Sequence, residues 1–462
     1  MGLLVYKLYC YLHFLAKVIL GSYNRNKLYR MVSVDSLFQD KNLQSIKVHG
    51  LILNDQVIKN SKKIKKEFFF PLENIVEFNS NPNLADSFKK SKKIHYSLGA
   101  DNEKDAMELW RSFIENSRIE KGYRNEGFHY AGFIGDQINS WCLPSWIWTN
   151  AALVRYYCSE NKLEKAKELA KKFELVQHSN GGWIVRFDYT SNGASPILAP
   201  NDSAYIANNC FLELYKKTNE EKYLNIAIKC ADWILSTCRS DGLVWTGYDI
   251  KNNKWLKSFT IVDTAFTAGF FAVLFDLTSD EKYILFLEKF CNSFINLFYD
   301  ENKKGFATSI DLNNKKIGGQ FTRGQAWVLE GLIPAYKTTK SKKIKKVISQ
   351  TIENLKLNQL KNGGWPYNLS RPLLGEDCKG IPVIAKSILQ WNILQSINLD
   401  YKVVEDSITW CMNHTSNCGK SKGGIFSFNA EGALVHTHYS STAFVYSCVY
   451  ACETLSILSK ED

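Results

Sequence analysis

The sequence predicts an all-α protein, an (α/α)6 barrel preceded by an N-terminal extension, and three observations predict it. Glycines recur at Gly122, Gly182, Gly242, Gly305, Gly364 and Gly424, separated by 60, 60, 63, 59 and 60 residues. Before each lies a Lys- and Glu-rich segment whose apolar residues fall at helical spacing, the pattern of a helix with one buried face. After each comes a second, less charged helical run. Six such pairs are what a closed double ring requires, with apolar helices inside and amphipathic helices facing solvent.

The elements follow in order. Residues 1–101 do not share the repeat and read as an extension of unknown role. Its start, MGLLVYKLYCYLHFLAKVILG, is apolar but broken by Lys7, His13 and Lys17. It lacks a basic start followed by a clean hydrophobic run and a small-residue cleavage site, and so reads as a poor signal peptide. Its interruptions also make it a poor transmembrane helix. An amphipathic helix packed on the domain is the reading, with contact to a membrane surface as the alternative. IKVHGLIL and EFFFPLENIVEF read as strands. Residues 102–462 form the barrel. Its outer helices are NEKDAMELWRSFIENSR, LEKAKELAKKFELV, EKYLNIAIKCADWILSTC, EKYILFLEKFCNSFINLFY, KKIKKVISQTIENLKL and VVEDSITWCMNHT. The inner helices begin near Trp148, Asp202, Asp263, Arg323, Ile381 and Ser441.

Composition narrows the partners. The net charge of +12 sits largely in Lys runs such as SKKIKK (61–66 and 341–346), without interleaved aromatics. These read as solvated faces, so no nucleic-acid partner is expected, while an acidic sugar would suit a positive field. Aromatic residues make up 13% of the chain, enough for sugar-stacking walls or for a large core. The twelve cysteines are scattered with no CxxC, and Cys210, Cys230, Cys291 and Cys448 fall inside apolar helical patterns, as reduced thiols do in a cytoplasmic protein. Cys411 and Cys418 lack the His/Cys array that would make them metal ligands. No metal or organic cofactor is expected, and the oligomeric state is open.

If outer helices run one way and inner helices return, every inner-helix N-terminus lies on one face. Asp202, in APNDSAYIANNCFLELY, and Asp263, in FTIVDTAFTAGFF, then ring one mouth with Arg323. Trp148, Trp183, Trp245, Trp327 and Trp365 would line it. Aspartate at a helix start is explained by capping alone. Yet these two carboxylates occupy equivalent places in adjacent repeats, amid apolar and aromatic residues that raise a carboxyl pKa. Two such groups can divide into proton donor and charge stabiliser. The segment FTRGQAWVLEGL, 321–332, begins the next inner helix. Arg323 offers a planar fork for a carboxylate, Gly324 allows close approach, Gln325 can bond hydroxyls and Trp327 presents a ring face. As a structural set, Arg323 would instead pair with Asp263 or Asp202.

RGQAW, the VD that opens the preceding inner helix, and the aspartate one repeat earlier resemble the unsaturated glucuronyl hydrolases of glycoside hydrolase family 88. The related unsaturated rhamnogalacturonyl hydrolases of family 105 are similar. The resemblance spans roughly residues 102–458. It implies an (α/α)6 barrel, Asp263 as general acid/base and Asp202 as its partner carboxylate. It also implies that Arg323 and Trp327 contact substrate, and that Trp148 is an aromatic at the sugar site. The implied substrate is a 4,5-unsaturated uronyl oligosaccharide, cleaved by hydration of its vinyl ether without a cofactor. Where that family commonly carries a His before the first aspartate this chain has Asn201, and no His lies between Asp263 and Arg323.

Other classes stay open on the same barrel. QHSNGGW (177–183) and QLKNGGW (359–365) share a pattern with triterpene cyclases, but the chain has neither DxDD nor DDxxD. An epimerase or lyase would draw its base from His436, His438 or Tyr439, before the last inner helix. A non-catalytic glycan-binding or polysaccharide-pathway protein would keep the barrel and lose turnover.

Overall fold

The computed structural model describes residues 45–48, 51–54, 97–119, 127–134, 140–144, 147–183, 197–250, 252–256, 260–317, 319–370, 376–396, 401–428 and 441–461. In chain order its helices are α1 (Glu103–Asn116), α2 (Ile147–Ser159), α3 (Leu163–Leu175) and α4, which runs Pro200–Ile206, Ala207–Leu212 as a π-helical turn, and Glu213–Thr218. Then come α5 (Glu221–Thr237), α6 (Phe266–Thr278, entered through a 3-10 turn Val262–Ala265), α7 (Glu281–Phe298) and α8 (Thr322–Thr339). The last four are α9 (Lys342–Leu357), α10 (Gly380–Gln395), α11 (Lys402–Asn413) and α12 (Val445–Glu461). Even-numbered helices touch in the cycle α2–α4–α6–α8–α10–α12–α2, and each odd-numbered helix packs on an even one outside that ring. This is an (α/α)6 barrel.

The outer helices bury one stripe each, as in α7, where Phe286, Phe290, Phe294 and Phe298 point inward. Asn102, Asp280 and Ser341 cap α1, α7 and α9 by accepting a backbone N–H within the first turn. Inner helices are buried nearly all round: twelve of the sixteen residues of α10 are buried, which requires a helix between two layers. Cys210, Cys230, Cys291 and Cys448 are buried thiols; Cys411 is buried and Cys418 exposed, and none of these is bridged.

The two faces of the barrel differ. Inner helices turn into outer ones through short links whose αL residues, among them Asn219, Ser279 and Lys340, end the helix at once. Outer helices reach the next inner helix through long connections, which carry the described strands of the barrel: a four-stranded sheet and three smaller ones. At IKVHGLIL two strands pair antiparallel, Ser45–Val48 with Leu51–Asn54; His49 and Gly50 lie outside the described residues. EFFFPLENIVEF, the first 21 residues and Gly122 lie outside the described residues. No helix among the described residues is long and apolar enough to cross a membrane.

The repeated Q-x-x-x-G-x-W segments are one clasp used twice. Gln177 Nε2 donates to the carbonyls of Gly181 (2.9 Å) and Ile226 (3.2 Å); Gln359 Nε2 donates to those of Gly363 (3.0 Å) and Val403 (2.9 Å). Gly181 and Gly363 have φ of +107° and +89°, and a Cβ on either would collide with the next outer helix at the carbonyl of Lys229 or Asp406. Trp183 and Trp365 close the clasp, each donating its indole N–H to a carbonyl ten residues earlier, of Phe173 (2.8 Å) and Leu355 (2.7 Å). Both indoles are fully buried. The expectation that they line the mouth is corrected: an indole spent on a helix-end carbonyl is core.

Within the inner ring five helices meet in one buried polar network. Arg155 of α2 donates Nε to Glu453 Oε1 and Nη2 to Glu453 Oε2, both at 2.8 Å, from α12. Its Nη1 reaches Glu330 of α8 (3.1 Å) and Asn209 in the π-turn of α4. Lys386 of α10 donates to Glu453 Oε2 at 2.7 Å. Tyr450 hydrogen-bonds Glu330 and, at 2.9 Å, Tyr205. Burial works to raise the Glu453 carboxyl, but Arg155 and Lys386 hold it below its ordinary value. Replacing Arg155 by Met strands the buried Glu453 and the half-buried Glu330 near one ammonium, so we expect Arg155→Met to lose about 3–5 kcal/mol, read as a fall in the urea midpoint.

Candidate active site

Asp202 and Asp263 enter the mouth from adjacent inner helices. Asp202 is the third residue of α4, buried in the first turn behind Pro200, whose fixed φ suits the helix start. Asp263 lies in the 3-10 turn that leads into α6 and is half-buried. Neither is an N-cap: those positions are Ala199 and Ile261, with no side-chain capping bond. Burial pushes the Asp263 pKa up from 3.8 to about 7, against the opposite pull of the Asn201 amide and of the N–H groups of Asp263 and Thr264.

Arg323, the second residue of α8, is buried on the other side of the Asp263 turn. Gly324 and Gly331 bring α8 against that turn. A Cβ on Gly324 would lie 2.7 Å from Val262 Cγ1, and one on Gly331 would collide with the Ala265 carbonyl. The structural pairing expected for Arg323, with Asp263 or Asp202, is replaced by another. Its Nε donates to Asp377 Oδ2 at 3.2 Å. Asp377 is fully buried, and its carboxylate and carbonyl take the N–H groups of Lys379, Gly380 and Ile381 where α10 begins. Asp377 thus locks Arg323 to the next inner helix. The guanidinium carbon lies 5.0 Å from the Phe321 ring centroid and 5.8 Å from that of Trp327.

Trp327 is half-buried, edge-on to Phe266 (6.0 Å) and Phe321 (5.7 Å). Trp148, half-buried at the start of α2, stands edge-on to Tyr446 at 5.0 Å. Trp245 is half-buried beside the Arg239 guanidinium. Gln325 is the site residue the structure reassigns. It is fully buried, its Oε1 accepts the Phe306 N–H at 2.8 Å, and its Nε2 donates to the Phe306 carbonyl at 2.8 Å. The amide braces the Gly305–Phe306 strand and does not face a ligand. His436, His438 and Tyr439 lie outside the described residues. Among the described residues no three His, Cys, Asp or Glu side chains converge as a metal site.

Three features escaped the sequence reading. Lys379 is buried with Nζ 3.9 Å from the Phe444 centroid and 5.8 Å from that of Trp148. Burial first, and then the like charge of Arg323, hold its pKa well below the ordinary lysine value. Asp377 sits 54 residues after Arg323, at the head of the next inner helix, where the repeat could have pointed to it. Arg155, Glu330, Lys386 and Glu453 are single charges in apolar runs, the same signal that picks out Asp263.

A double ring of helices of this kind is the architecture of the six-hairpin glycosidases. The profile of Glycosyl Hydrolase Family 88 matches residues 145–377, half of the chain and all of the mouth from α2 to Asp377. The chain belongs to glycosyl hydrolase family 88. Among solved structures it is similar to an unsaturated glucuronyl hydrolase specific for heparin, with a TM-score of 0.61 and 14% identity over 78% of this chain and 97% of that one. It is similar to the Bacillus sp. GL1 unsaturated glucuronyl hydrolase that degrades glycosaminoglycan, with a TM-score of 0.60 and 13% identity over 78% and 97%. A possible family 105 member from Salmonella enterica gives 0.55 and 14% over 80% and 96%. At these identities the likeness is one of fold. No curated protein matches the chain by sequence.

Two expectations test the site without a substrate. The folded Asp263 carboxyl keeps its proton to about pH 7 whereas the unfolded one loses it near 3.8. Between those values the folded state holds the extra proton, so this group's contribution to stability falls as pH rises. Asp263→Asn removes the ionisation, and should raise stability at pH 8 relative to pH 4 by roughly 2–4 kcal/mol more than the parent shows, read by thermal unfolding at the two pH values. Gln325→Leu should cost about 2–3 kcal/mol by stranding the Phe306 amide and carbonyl, measured by urea unfolding.

Proposed function

We propose that this chain is an unsaturated uronyl hydrolase, releasing a 4,5-unsaturated uronic acid from the end of an oligosaccharide by acid-catalysed hydration of its vinyl ether. One observation carries the reading: Asp263 stands half-buried at the mouth with a pKa of about 7, protonated just where a neutral-pH proton donor must be. Asp202 from the adjacent helix start supplies the partner carboxylate. Two of the similar structures are unsaturated glucuronyl hydrolases, which supports the uronyl substrate class.

In the proposed reaction Asp263 gives its proton to C4 of the C4=C5 bond, and positive charge develops at C5 and the ring oxygen. Asp202 offsets that charge. Water then adds to C5 and returns a proton to the Asp263 carboxylate, so the acid is regenerated. The product is a hemiketal at C5; it opens, and the aglycone sugar leaves from C1. No glycosyl-enzyme bond forms, in contrast to a retaining glycosidase. Arg323 gives the mouth the positive charge that a substrate carboxylate needs, and Asp377 keeps the guanidinium from collapsing onto Asp263. Trp327 and Trp148 offer partly open ring faces to the sugar.

The test follows loss of the conjugated-alkene ultraviolet absorbance on a panel of 4,5-unsaturated uronyl disaccharides. We expect turnover whose kcat/KM declines as pH rises through about 7, where Asp263 loses its proton, and Asp263→Asn to lower kcat by about 10²–10⁴-fold. A folded protein that leaves the absorbance unchanged across the panel overturns the reading.

A further inference from the structure

We propose that the hairpin formed by Gly247–Asp249 and Lys254–Leu256 is an outer sugar subsite, with the Trp255 ring as the platform for a pyranose on the leaving-group side of the substrate. The inference deepens the hydrolase reading and rests on it, since it names the substrate as a chain longer than a disaccharide. The hairpin belongs to the connection from α5 to α6, on the mouth face. It is tied to both carboxylates. Gly247–Asp249 pairs with Ile197–Leu198, which ends four residues before Asp202. Trp255 precedes Asp263 by eight residues, a span of at most about 28 Å, so a sugar chain leaving the mouth can reach it.

Tyr248 and Trp255 are direct partners across the hairpin, so both rings stand on the same face of it. Their centroids are 5.0 Å apart with the planes tilted by 55°. Behind them the buried Trp233 of α5 stacks on Trp255, at 5.9 Å and 26°. Tyr248 and Trp255 are both half-buried. Trp233 takes one face of the Trp255 ring, which leaves the exposed part on the side away from it. The structural tryptophans of this chain are treated differently: Trp183 and Trp365 are fully buried and spend their indole N–H on a carbonyl. Among the described residues the Trp255 N–H makes no such bond. The platform is also stiff. Tyr248 Oη donates to Asn253 Oδ1, and the buried Asp249 carboxylate accepts the Asn252 N–H at 3.0 Å and its side-chain amide at 2.8 Å. A ring already held in place binds without an ordering cost. Its apolar face suits the C–H face of a sugar, and the exposed Asn252 and Asn253 at the turn suit the hydroxyls.

The experiment compares an unsaturated uronyl disaccharide with the tetrasaccharide of the same repeat, on the full chain and on its Trp255→Ala and Trp255→Leu variants. Leucine keeps an apolar side chain against Trp233 while removing the ring face, so it guards against a variant that fails to fold. The kcat/KM of the parent should favour the tetrasaccharide by about three- to tenfold, and the folded variants should bring the ratio of the two sugars towards one. Calorimetric binding of the tetrasaccharide to Asp263→Asn, with and without Trp255→Leu, should weaken by the same factor. A parent ratio near one, or a ratio that the folded variants leave in place, overturns the subsite and leaves the hydrolase reading standing. Tetrasaccharide binding that depends on Trp255 in a protein that turns over neither sugar supports the subsite and sinks the hydrolase reading. Neither binding nor turnover overturns both.

Discussion

Arg155 sits inside a ring of apolar helices, and the rest of the barrel is arranged around keeping it neutralised. Glu453 meets it side-on with two bonds, Glu330 and Asn209 take its third nitrogen, and Lys386 shares the same Glu453 carboxylate. A buried ion network of this kind is weak as a source of net stability but strong as a constraint. If α2, α4, α8, α10 or α12 rotates about its axis, a charge loses its partner in a low dielectric. The rotation of each inner helix also decides which residue it presents one or two turns nearer the mouth. Trp148 stands two turns above Arg155, and Arg323 stands two turns above Glu330. α6 sends no charge into this network; Gly324 and Gly331 hold it in place by letting α8 press against its entry turn. The alignment of Asp263 with Arg323 is therefore set by close packing, and the other alignments by charge.

The mouth itself is assembled from long connections, which ordinarily are the mobile parts of a fold. Here they are fastened repeatedly to the outer helices by the Gln177 and Gln359 clasps, and Glu376 accepts the Trp410 and Asn362 side chains. Gln325 anchors the Gly305–Phe306 strand in the same way. These bonds let irregular backbone carry a site that needs fixed geometry.

The sequence made the repeat and the ring legible because both are written locally. A positive-φ glycine, an amphipathic stripe and an apolar run each declare themselves within a few residues. The position of Asp202 and Asp263 at successive inner-helix starts followed from the same arithmetic. What escaped depended on which side of a wall a residue faces. Trp183 and Trp327 are both tryptophans beside repeat glycines or inner-helix starts, yet one is buried against a carbonyl and the other is half-open to the mouth. Gln325 looked like a ligand contact because the residue that takes both ends of its amide, Phe306, is nineteen residues back. Arg323 has its carboxylate at Asp377, a whole repeat onward. Such pairings are decided by the closed ring and are invisible to local spacing.

Among the described residues the ring is closed without a covalent seam. Its last helix, α12, comes back to lie against α1 and α2, so the bond between Arg155 and Glu453 joins residues 298 positions apart. Contacts of that separation carry the largest loop-closure cost and are repaid only when most of the chain is already in place. Until α12 docks, Arg155 stays a cation in a half-built apolar interior with half its counter-charge missing. The final helix is thus less a terminus than a keystone. Losing it would open the barrel from within, at the layer beneath the mouth, even though every residue of the Asp202–Asp263–Arg323 arc lies far upstream.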